Sequence, residues 1–235
     1  MFRFFFEFCS NNFGMKSKTG SMKVLMKENS SFLIPWILIL SAAIVLLIIF
    51  PKAQLHIFSN QMHTPLLDTF FKYTTYLGDG VLIAVLFVGL LFVKYRYALA
   101  FLSGALGASL LINLIKKVLL HDVYRPSKYF ELYETYQLHF VEGVKLHSFQ
   151  SFPSGHTTTA FNLFFMLALL VENRWLKITF LAIAIVVAYS RVYLSQHFLI
   201  DIVAGSAFGV ASVFIAFYFF SKPEKSWLDK SVLKK

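Results

Sequence analysis

Six long apolar runs divide the chain: Phe32 to Phe50, Leu77 to Val93, Tyr97 to Ile115, Thr157 to Val171, Trp175 to Tyr189 and Phe198 to Phe220. None shows the alternation of apolar and polar residues over about ten positions that a membrane β-strand carries. Backbone N–H and C=O groups in hydrocarbon must be satisfied within their own segment, so continuous apolar runs predict helices. Crossing a hydrocarbon core of about 30 Å takes about 20 residues. Several runs are shorter, which predicts helices that extend into their polar flanks. The stretch Asn60 to Tyr76, with Phe70, Phe71, Tyr73 and Tyr76, is compatible with one more helix at the interface. The pattern therefore predicts an all-α integral membrane protein, a bundle of six transmembrane helices.

Composition agrees with that reading and adds an orientation. Of 235 residues, 57% are hydrophobic and 14% charged, with a mean hydropathy of +0.66. A net charge of +10 in a soluble chain would point to nucleic acid. Here the basic residues cluster at the ends of the apolar runs, so they report topology and no nucleic-acid partner is expected. With the N-terminus inside, fourteen Lys and Arg fall on the inner side and eight on the outer. That bias puts both termini in the cytoplasm and the loops 120–152 and 191–197 outside. The first run is too long for a signal peptide and lacks a small-residue cleavage site, so it reads as a retained anchor. The expected organisation is a disordered cytoplasmic tail over 1–31, a six-helix membrane domain over 32–221 and a basic cytoplasmic tail over 222–235. Met15 and Met22 are alternative starts. Cys9, the one cysteine, permits no intrachain disulfide. Gly205 with Gly209, and Gly104 with Ala108, have the small-xxx-small spacing of closely packed helices.

Ionisable residues within or beside a membrane are costly, so their placement is informative. His156 opens the fourth run, Arg191 closes the fifth, His197 and Asp201 open the sixth, and Lys116, Lys117 and Arg125 follow the third. On the six-helix topology all of them reach the outer face. His197 and Asp201 are four apart on one helical face, where a carboxylate can fix the imidazole tautomer and leave the other nitrogen free to attack. Pro153, Ser154 and Gly155 read as a helix start, with Ser154 as its cap and the Gly155 N–H open to an anion. Fixed cations from three loops would complete a pocket for a dianion such as phosphate. The bland readings are juxtamembrane anchors for Arg191 and Lys117, a capping histidine for His156, and a polar pair or proton relay for His197 with Asp201. The outer-loop residues His121, Asp122, His139, Glu142 and His147 fit no standard metal-ligand spacing and read as solvated. Asp79 in "LGDG" reads as a turn residue.

These positions resemble the three signature motifs of the type 2 phosphatidic acid phosphatase (PAP2) superfamily, whose members include membrane lipid phosphate phosphatases and vanadium haloperoxidases. The second motif is matched by Pro153, Ser154, Gly155 and His156, the third by Ser190, Arg191, His197 and Asp201. In the first, the family places six residues between its lysine and an Arg-Pro pair, whereas seven separate Lys117 from Arg125 and Pro126. An insertion in His121 to Tyr124 reconciles them, and Lys117 is the lysine assigned, with Lys116 as the alternative. The resemblance implies a haloperoxidase-like helical core and a metal-independent phosphatase without cofactor, acting on a lipid phosphate or pyrophosphate drawn from the bilayer. His197 would be the nucleophile forming a phosphohistidine, Asp201 its orienter, and His156 the acid and base. Lys117, Arg125, Ser154, Gly155 and Arg191 would hold the phosphate. Phosphatidic acid, phosphatidylglycerophosphate, undecaprenyl pyrophosphate and lipid A remain open as substrates. The expected location is a bacterial inner membrane with the site facing the periplasm or outside. A lipid phosphotransferase is the alternative within the superfamily, and a lipid or ion transporter the alternative outside it.

Overall fold

The computed structural model describes residues 21–222 and 225–233; the first twenty residues, with Cys9 and Met15, lie outside the described residues. The helical path opens at Met22, ten residues earlier than the tail boundary expected from the sequence. Helix α1 (Met22–Glu28) leads through Asn29 into α2 (Ser30–Ile49). Lys177 fastens this junction, its Nζ donating to Glu28 O at 2.7 Å and Asn29 Oδ1 at 2.6 Å.

The Asn60 to Tyr76 stretch is helical, and it is flanked by a helix with no counterpart among the apolar runs. Helix α3 (Lys52–Asn60) follows Pro51, and α4 (Pro65–Thr74) starts with Pro65 at its first position and Thr64 as its cap, Leu67 N donating to Thr64 Oγ1 at 3.3 Å. A 3₁₀ turn (Thr75–Gly78) then hands the chain to α5 (Gly80–Leu91), and the two halves meet at 49°. Gly78 permits that bend, because a Cβ there would come within 2.9 Å of the His156 carbonyl. Next come α6 (Tyr95–Leu114) with a π-turn over Ile115–Leu119, the short outer α7 (Pro126–Tyr133), α8 (Gly155–Leu170), α9 (Arg174–Tyr193) and α10 (Leu199–Phe220). Among the described residues the secondary structure is helical, with no β-sheet.

Each of the six apolar runs forms a helix. By length and composition four are able to cross a membrane: α2, α6 with its π-turn, α9 and α10. The bent pair α4–α5 makes a fifth. Helix α8 has only 16 residues, 12 of them buried, and is the axis on which α9 and α10 pack. Helix α2 instead exposes Ile34, Leu38, Ile48 and Ile49, an apolar face suited to lipid. Close packing around α8 needs small residues. A Cβ on Gly205 would stand 2.7 Å from Ser154 O, and one on Gly209 2.6 Å from Thr158 O; Gly104 gives α6 the same intimacy with Val213 of α10.

Candidate active site

The nucleophile site is assembled by the start of α10. Asp201 sits in its first turn and accepts from the Phe198 backbone N–H at 2.9 Å, so one carboxylate caps the helix and faces the preceding residue His197. His197 Nδ1 lies 3.2 Å from Asp201 Oδ2, and the Ser151 hydroxyl donates to the same oxygen. Both partners of the pair are 1% exposed. An ionised carboxylate can only accept, so it fixes the proton on Nδ1 and leaves a lone pair on Nε2. Burial, and after it the positive charges of Arg125, Arg191 and Lys116, holds His197 well below the usual imidazole range. The ring is thus neutral at physiological pH, as a nucleophile must be. The connection from α9 doubles back to place it: Gln196 N and His197 N both donate to Arg191 O at 3.0 Å, with Ser195 in the left-handed region at φ 51°. Ser154 N bonds Asp201 O at 3.0 Å, tying the start of α8 to the start of α10.

His197 opens onto a cavity of about 350 Å³ that is also lined by Gly155, His156, Arg125, Arg191 and Lys116. The three cations come from three separate segments and, among the described residues, none pairs with a carboxylate. Arg191, 4% exposed, donates one Nη to Thr75 Oγ1 at 2.6 Å and has no partner for Nε. Arg125 holds the carbonyls of Phe149 (3.0 Å) and Gln196 (3.2 Å). The first-turn N–H groups of Gly155 and His156 have no acceptor within α8, whose ladder begins with Thr158 N on Ser154 O. Such a group of donors at a helix start suits a tetrahedral oxyanion.

Two of the sequence-predicted phosphate ligands are placed elsewhere. Ser154 is fully buried and lines neither cavity; its hydroxyl caps α8, accepting from Thr157 N at 3.4 Å and from Thr157 Oγ1 at 3.0 Å. Lys117 is exposed and lines neither cavity, and Lys116 stands in the site instead. The reason is local. Over Ile115–Leu119 the chain makes a π-turn, closed by Leu120 N on Ile115 O at 2.8 Å, and the wider turn changes which of two adjacent lysines faces inward.

The structure adds residues that the sequence reading left out. Asp79, read as a turn residue, holds the position just before α5 and meets His156 Nε2 at 2.8 Å. A signal existed: it is a carboxylate at the outer mouth of the second apolar run, on the same side as the three motifs. Thr75 and Gln196 carried no such signal. The outer loop is laced to the site by Gln196 Nε2 on Lys145 O (3.0 Å) and Lys72 Nζ on Glu142 O (2.7 Å), and His147 reaches the cavity wall. His139 is not merely solvated. Its Nε2 lies 3.1 Å from Asp68 Oδ2, while His63 Nδ1 and the Tyr193 hydroxyl bind Asp68 Oδ1, each at 2.6 Å. His63, Asp68 and His139 are the one group among the described residues with metal-compatible spacing; they lie outside the catalytic cavity, and Asp68 bonds both histidines while His63 Nε2 has no partner. His121 and Asp122 form an exposed pair.

A second cavity of about 390 Å³ adjoins the first, sharing Asp79, Lys116, Gly155 and His156 with it. It runs between α5, α6 and α8, where Ile83, Leu102, Leu106 and Ile112 give it apolar walls. A headgroup cavity thus continues into a cleft between helices of the bundle.

Comparison with known proteins gives a consistent result. A family model described as the PAP2 superfamily matches residues 97–225. The lipid A 4'-phosphatase of Porphyromonas gingivalis is 27% identical over 177 residues, 73% of this chain and 74% of that protein. The lipid A 1-phosphatase of Rhizobium etli is 42% identical over 62 residues, 26% of either chain. Among solved structures, Aquifex aeolicus LpxE aligns with a TM-score of 0.60 at 24% identity, covering 69% of this chain and 92% of its own. A transmembrane PAP2 type phosphatidylglycerolphosphate phosphatase from Bacillus subtilis aligns with a TM-score of 0.58 at 22% identity, covering 86% and 100%. At these identities the structural likeness is one of fold.

Proposed function

The chain belongs to the PAP2 superfamily and is an integral membrane lipid phosphatase of that type; from this premise we propose that it hydrolyses a lipid A-type phosphate ester through a phosphohistidine, at the outer face of a bacterial inner membrane. The observation that carries the mechanism is the oriented, neutral His197 beside three cations that no carboxylate neutralises. His197 Nε2 attacks phosphorus and the bond to the lipid oxygen breaks. His156 protonates that oxygen as it leaves, and Asp79, 2.8 Å from its Nε2, orients the ring. Arg191, Arg125, Lys116 and the first-turn N–H groups of α8 hold the equatorial oxygens as charge develops. Water, deprotonated by His156, then attacks the phosphohistidine, the P–N bond breaks, and inorganic phosphate and the free lipid alcohol are released. Asp201 holds the His197 ring and balances its charge while it carries the phosphoryl group.

The lipid half of the proposal is supported by the cleft, which offers an acyl chain an apolar path to the histidines without leaving the bundle. The outward face is supported by the excess of Lys and Arg at the other side, and the lipid A class by the names of the relatives. Purified protein in detergent micelles, given lipid A, phosphatidic acid, phosphatidylglycerophosphate and undecaprenyl pyrophosphate in turn, is expected to release phosphate fastest from lipid A and to be inhibited by vanadate. Loss of phosphate release in both His197→Gln and His156→Ala, with a ³²P-labelled, acid-labile protein accumulating in His156→Ala, is the expected signature. Full activity of His197→Gln would overturn the mechanism. Equal rates on all four lipids would overturn the substrate assignment.

A further inference from the structure

The cleft beside the catalytic cavity is not uniformly apolar. From α6 it receives Ser109 and Asn113, and from α8 Thr158, Thr159 and Asn162, all within segments whose other faces meet lipid or core. A carboxamide in such a place is costly unless its donors and its acceptor are both met. Asn162 is 1% exposed and meets only half of that requirement. Its Nδ2 donates to Ser212 Oγ at 3.0 Å, and Ser212 Oγ in turn donates to Gly209 O at 3.1 Å. The Gly209 carbonyl, 3.5 Å from the same Nδ2, can only accept, so the group on that side is the NH₂. The oxygen of Asn162 is left buried with no partner. Asn113, exposed on the opposite wall, donates its Nδ2 to Ser109 O at 2.8 Å, and its oxygen meets no donor among the described residues.

Position along the helices gives the scale. Asn162 follows His156 by six residues, about 9 Å down α8, and Asn113 precedes Lys116 by three, about 4.5 Å down α6. Two acceptors without donors therefore flank the path that a chain attached to the phosphate-bearing group would take. We infer that this cleft selects lipids carrying a hydrogen-bond donor, an amide N–H or a hydroxyl, within roughly 9 Å of the phosphate. Ester-linked and polyprenyl chains offer none there: an ester only accepts, and a polyprenyl chain does neither. The inference rests on the phosphatase reading above and narrows its substrate class.

Three synthetic propyl phosphates of equal chain length test it: a diester, a diamide, and a diamide whose chains bear β-hydroxyl groups. A buried acceptor left unmet discriminates by about tenfold or more, so kcat/KM should rise at least that much from the diester to the β-hydroxy diamide. Asn162→Leu, of similar volume, should bring the ratio of the two close to one. Asn113→Leu, at an exposed position that a fold tolerates more easily, should lower it in part. The ratio is the readout, taken on variants that elute as the wild type does and retain its helical circular dichroism. Three lipids hydrolysed within about twofold of one another by the wild type would overturn the inference, as would a ratio unchanged in both variants. Hydrolysis of none of the three would overturn the phosphatase reading and this inference together.

Discussion

The two ends of the bundle treat their buried cations in opposite ways. At the end where the described chain begins and finishes, Arg96 bonds Asp229 through Nε (3.1 Å) and Nη2 (2.9 Å), and its Nη1 reaches the carbonyls of Phe220 and Lys222. Lys177 there is met by a carbonyl and an amide oxygen. At the other end Arg191, Arg125 and Lys116 face one cavity, the two arginines bonding only neutral oxygens, while the nearby carboxylates Asp79 and Asp201 are each engaged by a histidine. Like charges gathered in a low dielectric repel one another, and such an arrangement is maintained where an anion completes it. One end uses cations to close the architecture. The other holds positive charge for a dianion.

Exchanging the roles of two arginines tests this contrast most severely. Arg191→Met is expected to lower kcat/KM by about 10² to 10³ while leaving the melting temperature unchanged or higher, since it relieves repulsion. Arg96→Met should do the reverse, losing about 1 to 3 kcal/mol of stability with kcat/KM within about twofold of wild type, because the four oxygens that it meets lose that donor. Phosphate release assays and thermal unfolding in detergent, run on both variants, decide the matter. Activity loss in Arg96→Met at unchanged stability would break the comparison.

The two adjacent lysines come next. Lys116→Ala should lose about 10-fold or more in kcat/KM, in line with removing one charged contact to the substrate, whereas Lys117→Ala should stay within about twofold. Equal losses would place both lysines at the phosphate.

Asp79→Asn follows. Its carboxylate orients His156, so the variant should lose about tenfold in kcat with little change in KM. A change confined to KM would make Asp79 a binding residue instead.

Acid should distinguish the ends by stability, with the smallest effect. His56 in α3, packed against Phe130 and Phe198 and bonded through Nε2 to Ser195 Oγ at 3.1 Å, is pushed down to about 4, chiefly by burial, with Asp201 opposing and His63 adding to the shift. It stays neutral in the fold while the unfolded chain takes up a proton near pH 6.5. Stability from this group is therefore complete above 6.5 and declines as pH falls towards 4. His197 acts in the same direction. At the other end Asp229 is held below the usual carboxylate range, first by its bond from Arg96, so that pair persists until lower pH. Hydrogen exchange from pH 7 to 5 should rise over residues 52–60 and 195–201 before it rises over 225–233. His56→Gln should flatten the decline in melting temperature. The opposite order of exchange would reverse the assignment of the labile end.

Much of this was legible in the residues. Apolar runs long enough for lipid give helices almost irrespective of detail, because an unpaired backbone in hydrocarbon is prohibitive. All six formed, although α8 at 16 residues is shorter than a lipid-facing span, being sheathed by its neighbours. His197 with Asp201 was legible because i,i+4 spacing at a helix start is a local geometry. Lys116 was not, since a π-turn leaves little trace in hydropathy. The pairing of Asp79 with His156, 77 positions apart, was invisible in either segment alone.

The sequence by itself determined that the six apolar runs are helices, where positive charge collects, and that His197 has Asp201 beside it, since each depends on contacts within a few residues. Only the tertiary structure decided which face of each helix looks into the cavity. One residue is about 100° of rotation, so the choice of Lys116 over Lys117, the withdrawal of Ser154 into its cap, and the partnerless oxygen of Asn162 were set by how α6, α8 and α10 pack.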